Sequence, residues 1–131
     1  MVSPLLLCIP AAFVLIYLPK VAASVAMAKQ PEGYNNRNPR DQQAKLTGWG
    51  KRSIAAHQNG FEAFPPFAAG VLLAHVSGAN PKHALYLAVG HLVCRTVYPL
   101  VYMADIHMLR STVWTLGFVA SLGLMLLPLF G

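Results

Sequence analysis

The sequence predicts an all-α integral membrane protein, a four-helix bundle of up-down topology. Three observations lead there. The chain of 131 residues is 56% hydrophobic and only 11% charged, against about 25% charged in an ordinary soluble domain. Its mean hydropathy is +0.50, so a soluble globule would run short of polar surface. The apolar residues also fall into four segments, each able to supply the ~20 residues that a bilayer crossing needs. At this length a single domain, 1–131, is expected.

The first segment spans 4–28. Pro10, Pro19 and Lys20 interrupt it, which membrane helices tolerate when neighbours satisfy the freed backbone groups. A cleaved signal peptide is the competing reading, since Ala26-Met27-Ala28 has the small-x-small pattern. The absence of a basic stretch before Leu5 and the late position of Lys20 argue against it. The second segment spans 48–76, the third 82–103 and the fourth 109–130. Between the first two lies a polar loop, 29–47, rich in the turn formers Pro, Gly and Asn. The connections at 77–82 and 104–108 are short, as in antiparallel bundles.

Net charge is +6, and seven of the ten Lys and Arg lie between Lys20 and Arg52. A basic block confined to one loop and its flanks does not make the stripe that nucleic acid requires. Excess Lys and Arg beside spans marks the cytoplasmic side. The loop 29–47 is thus expected in the cytoplasm, with both termini on the opposite side. Cys8 and Cys94 lie in apolar segments with no CxxC spacing, so small buried hydrophobes are expected rather than a disulfide or metal site. The five histidines show no metal-ligand spacing either.

The second segment carries the most information. Arg52, Asn59 and Glu62 stand at relative positions 0, 7 and 10, within roughly 80° of one another on a helix face. Ionisable groups inside a membrane segment point to function by default. In the third segment His91, Arg95, Tyr98 and Tyr102 follow at spacings of 4, 3 and 4, a continuous helical stripe. The fourth opens with Arg110-Ser111 and has Trp114 a turn later. Three arginines, one acid and one amide suit a small zwitterion with excess negative charge, because Arg pairs bidentately with carboxylates. Arg110 near a thiol would favour the thiolate.

Each residue also has a plainer reading. Arg52 suits snorkelling to the interface. Asn59 and Glu62 suit packing between helices, Arg95 a structural pair with Glu62, and the two tyrosines an interfacial belt. Phe61, Phe64, Phe67 and Val97 read as lipid-facing.

The motifs Asn38-Pro39-Arg40, Arg52 through Phe67, Arg95 with Tyr98 and Tyr102, and Leu109-Arg110-Ser111 cover nearly the whole chain in order. Together they resemble the MAPEG family, the membrane-associated proteins of eicosanoid and glutathione metabolism, with small bacterial members most similar. The resemblance implies a homotrimer that binds glutathione between subunits at the cytoplasmic side of a bacterial inner membrane. It implies glutathione contacts from Asn59, Glu62, Arg95, Tyr98 and Tyr102, with Arg52 as a further candidate. Arg110 would be catalytic, holding the thiolate, with Ser111 beside it. The implied activity is that of a glutathione transferase or peroxidase, its second substrate a hydrophobic molecule from the bilayer, with no metal and no nucleic acid. One departure stands out: the family's Arg four residues before the Asn is Ala55 here. That departure motivates the alternative, a non-catalytic membrane protein of the same fold binding a lipid or a partner protein. A small transporter is disfavoured by the absence of paired helix breaks.

Overall fold

A computed structural model describes all 131 residues, which form five α-helices and no strand. They are α1 (Pro4–Ala28), α2 (Pro39–Ala44), α3 (Gly48–Val76), α4 (Pro81–Met103) and α5 (His107–Leu126). After Leu126 the chain tightens into a 3-10 turn, Leu127–Phe130, around Pro128. The four long helices fall on the four apolar segments. The expectation of four helices is corrected by α2, a six-residue helix inside the polar loop.

Three helices are long and apolar enough to cross a membrane: α1, α4, and α5 with its 3-10 extension. The expected fourth span, 48–76, forms the longest helix at 29 residues, yet it is not among them. Its own Lys51, Arg52, Asn59 and Glu62 lower its hydropathy.

The long helices alternate in direction. Gly50 and Gly60 of α3 meet Ala26 and Ile16 of α1 in reverse order. Arg52, at the start of α3, bonds to Met103, at the end of α4. Tyr102 and His91 of α4 meet Arg110 and Gly117 of α5. The ends of α1 and α4 therefore share one end of the bundle with the starts of α3 and α5.

Small residues bring the helices close, as membrane packing favours. A Cβ on Gly60 would stand 3.3 Å from the Ile16 backbone, and one on Gly50 only 2.8 Å from Ala26 Cβ. The main core, at the end away from the basic loop, is built of Leu5, Cys8, Ala12, Phe67, Val71, Ala74, Ala79, Ala84, Ala88 and Leu124. Smaller clusters, Ala26–Met27–Leu46 and Ala56–Tyr98–Val113, close the other end. Only 30 residues are buried, while Leu, Val and Phe side chains stand exposed on α1, α4 and α5. Such wide apolar exposure suits lipid rather than water.

The turns follow from local chemistry. Gly78 ends α3 at φ +69°, with Ala79 N–H donating to Ala74 O and Gly78 N–H to His75 O. That pair of bonds is a Schellman motif. The same bonds recur after α4, from Ile106 to Val101 O and from Asp105 to Tyr102 O, with Asp105 holding the left-handed position at φ 62°. Asn80 then caps α4 by accepting from the Lys82 and His83 N–H groups.

The loop after α1 is fastened by one buried amide. Gln42 of α2 donates to Gly33 O at 2.7 Å and to Met27 O at 3.3 Å. Its own oxygen accepts from Asn35 N–H at 2.8 Å.

Candidate functional site

The polar residues of α3 and α4 meet inside the bundle. Arg95 Nη1 donates to Asn59 Oδ1 at 2.9 Å, and Asn59 Nδ2 donates to Glu62 Oε2 at 3.2 Å. Asn59 can serve both neighbours because an amide carries a donor and an acceptor. The direct Arg95–Glu62 pair considered from sequence is thus a relay through Asn59. Three residues along α3 give ~4.5 Å of rise, which sets Glu62 one turn from Asn59 on the same face.

The relay extends towards the start of α5. The Arg95 guanidinium lies over the Tyr98 ring, 4.5 Å from its centroid. Tyr98 meets Tyr102 edge-to-face at 5.7 Å and 84°. Arg110 lies over Tyr102 at 4.6 Å. Both cation-over-ring contacts are attractive because the aromatic face is electron-rich. Pro99, between the tyrosines, removes one helix hydrogen bond and releases the Arg95 carbonyl. The tyrosines nevertheless hold a favourable aromatic geometry. Six of the expected site residues, Glu62, Asn59, Arg95, Tyr98, Tyr102 and Arg110, therefore form one continuous ladder.

Two expected residues lie off it. Arg52 donates through Nε and Nη2 to Met103 O, at 3.1 and 3.0 Å. The Schellman bonds leave that carbonyl without a partner, and Arg52 caps it. Seven residues of helix separate Arg52 from Asn59, roughly 10 Å of rise, so a shared face does not bring them together. Arg52→Gln is expected to lower stability by about 1.5–3 kcal/mol, the range for a hydrogen bond to a charged group. Thermal unfolding in detergent checks it, and an unchanged midpoint would count against the capping role. Ser111 is exposed, and its carbonyl accepts from Thr115 Oγ1.

The inner end of the ladder opens into a cleft of about 220 Å³ between α3, α4 and α5. Asn59, Glu62 and Arg95 line one side, and Trp114, Gly117, Phe118 and Ser121 the other, with His91 also on the wall. His91 stacks on Phe67, centroids 4.0 Å apart and planes within 7°. Its Nδ1 lies 3.0 Å from Gly117 O and 3.1 Å from Ser121 Oγ. The lipid-facing reading of Phe67 is corrected here: the ring is 0% exposed, held beneath His91. A Cβ on Gly117 would lie 3.4 Å from Cys94 Cβ and 3.7 Å from His91 Nδ1, so α4 and α5 are in van der Waals contact here.

Sequence reasoning placed His91 and Trp114 near the site and missed Gly117, Phe118, Ser121 and Phe67. Gly117 and Ser121 stand four apart in α5, a small-xxx-small spacing that marks close helix contact. Nothing in that spacing names His91 as the partner.

An all-helical bundle with three helices of membrane-crossing composition and an ion-lined cleft between its helices defines a class of polytopic membrane-type proteins with an internal polar site. The model of the MAPEG family matches residues 4–130, and the chain belongs to that family. No curated protein and no solved structure gives a significant match.

Proposed function

We propose that the protein is an integral membrane glutathione-dependent enzyme, transferring glutathione to a hydrophobic electrophile, with peroxide reduction as the close variant. The observation that carries this reading is the Arg95–Asn59–Glu62 relay on the wall of the cleft, continued by the tyrosines to Arg110. Arg95 has five N–H donors, and the chain engages one of its nitrogens with Asn59. The others can take a carboxylate of the peptide. Glu62 has a second oxygen for the ammonium group. Arg110 supplies a positive charge beside which a thiol ionises more readily. Positioning and charge stabilisation then supply the rate.

Homo-oligomers close by point-group symmetry as a rule, and a homotrimer with glutathione between subunits is part of the proposal. So are a bacterial inner membrane and a cytoplasmic face at the end bearing the basic loop, in line with the bias of Lys and Arg. One observation favours the alternative, a non-catalytic protein that binds a lipid or a partner: Arg52, the arginine nearest the missing one at Ala55, is committed to Met103 O.

Calorimetry of the purified protein with glutathione, with a thiolate absorbance scan across pH, separates the two. Saturable binding and a thiol more acidic than that of free glutathione support the enzyme. No binding at millimolar glutathione supports the alternative. Arg110→Ala is expected to lower conjugation of a model aryl halide about 10²–10³-fold, the cost of one lost charge-stabilising donor, while the helical content stays unchanged. Equal rates in the variant and the parent would sink the role given to Arg110.

A further inference from the structure

The connection from α1 to α3 carries exposed cations that the cleft does not use. Lys29, Arg37, Arg40, Lys45 and Lys51 all stand exposed. Glu32 and Asp41 are the only carboxylates in the same stretch. Glu32 is turned towards the loop's own fastening, where its Oε1 accepts from Gln42 Nε2 at 3.5 Å. That leaves Asp41 alone against five cations. At the opposite end of the bundle, Lys82 is the only Lys or Arg in the turn between α3 and α4. The positive charge is therefore a property of one end.

The fold keeps these cations close to the ends of the helices. The stretch leaves α1 at Ala28 and enters α3 at Gly48. Between them Gln42 ties α2 to Gly33 O and to Met27 O in the last turn of α1. Leu46 packs against Ala26 and Met27. The loop is thus fastened down and cannot reach outwards as a free arm would. Two aromatic rings stand among the cations. Trp49, in the first turn of α3, and Tyr34 are both exposed, and Lys29 Nζ lies 5.7 Å from the centroid of the Trp49 ring. Amphipathic rings of this kind collect at the headgroup level of a bilayer.

We infer that this face is a docking surface for the headgroups of anionic phospholipids in the adjoining leaflet. Their phosphates are taken by Lys29, Arg37, Arg40, Lys45 and Lys51, and Trp49 and Tyr34 settle between the headgroups. Charge complementarity and position together select this occupant. A soluble anion would match the charge, but it would leave both exposed rings in water and make no use of the anchorage beside the helix ends. Each Lys or Arg held near an anionic bilayer strengthens association about fivefold. The five act together, even though each remains solvated. The inference goes beyond the glutathione reading and is independent of it, since it needs neither the cleft nor a bound peptide.

Trp49 itself can report on the lipid beside it. Trp49 and Trp114 are the two tryptophans, so a Trp114→Phe background leaves Trp49 as the sole reporter. The full chain is placed in nanodiscs of equal parts phosphatidylcholine and phosphatidylglycerol, with bromine on the acyl chains of one lipid or the other, and quenching is compared. Phosphatidylglycerol is expected to be enriched about fivefold or more beside Trp49, the effect of at least one cation. The enrichment should fall away towards 1 M salt, where the screening length shrinks to about 3 Å. Exchanging Lys29, Arg37, Arg40, Lys45 and Lys51 together for Gln should erase it, and Lys82→Gln should leave it intact. Equal quenching by the two lipids in the Trp114→Phe parent overturns the surface. So does an enrichment that survives the five exchanges, or one lost in a folded Lys82→Gln protein. If the five-residue variant does not fold, the salt titration of the parent decides, and indifference to salt overturns the surface. Sodium phosphate and sodium chloride are then compared at matched ionic strength. Equal displacement supports the lipid headgroup, and stronger displacement by phosphate assigns the cations to a free anion and overturns the lipid assignment.

Discussion

Arg95→Leu is expected to weaken glutathione binding by more than 100-fold. The guanidinium makes the only contact from α4 to Asn59 within the relay and covers the Tyr98 ring. A charged hydrogen bond contributes about 1.5–3 kcal/mol, and a partly desolvated cation over a ring adds about 0.5–2 kcal/mol. With leucine in its place, Glu62 also loses the positive charge that Asn59 relays to it. These contacts, which hold the site in shape, sum to about 2–5 kcal/mol, a range whose middle exceeds the ~2.7 kcal/mol that corresponds to 100-fold. Arg95→Lys should fall between, since an ammonium keeps the charge and loses the planar fork. Calorimetry on both variants, with size-exclusion profiles as the control for folding, checks this. An unchanged affinity in a folded Arg95→Leu protein removes Arg95 from the binding site.

Phe67→Ala is expected to cost about 3–5 kcal/mol of stability, the range for emptying a buried aromatic position. The ring is fully enclosed within the main core and bears the stacked imidazole of His91. Its loss removes packing and also the floor that keeps His91 against Gly117 and Ser121. Affinity for a cleft ligand should fall with it. Reversible unfolding in mixed micelles gives the stability change, and a loss below about 1 kcal/mol would contradict the buried placement, since it falls outside that range.

The sequence carried the helices well because each apolar segment was long, and Gly, Asn and Pro punctuated the connections. It did not carry α2. The stretch Pro39–Ala44 has no apolar period of its own, and its fastening by Gln42 to Met27 and Gly33 is a tertiary event. The ladder was legible because Asn59 and Glu62 are three apart and Arg95, Tyr98 and Tyr102 follow at helical intervals. Arg52 shares the angular position of Asn59 and Glu62 but not their height along the axis, and an unpaired carbonyl at Met103 lies nearer to it. Phe67 misled for a different reason. An apolar residue in an apolar helix gives no sign of whether it faces lipid or the core when both are equally greasy.

The polar face of α3 has a consequence for how the molecule enters its membrane. α3 stays outside the set of helices apolar enough to cross alone, so leaving water unaccompanied would strand Arg52, Asn59 and Glu62 in hydrocarbon. The partners that relieve two of these, Met103 O and Arg95, lie on α4 and emerge later from the ribosome. Insertion of α3 is therefore expected to follow the synthesis of α4. A nascent chain halted at the turn after α3 should hold that helix at the interface, and synthesis of α4 should draw the pair inward as one hairpin.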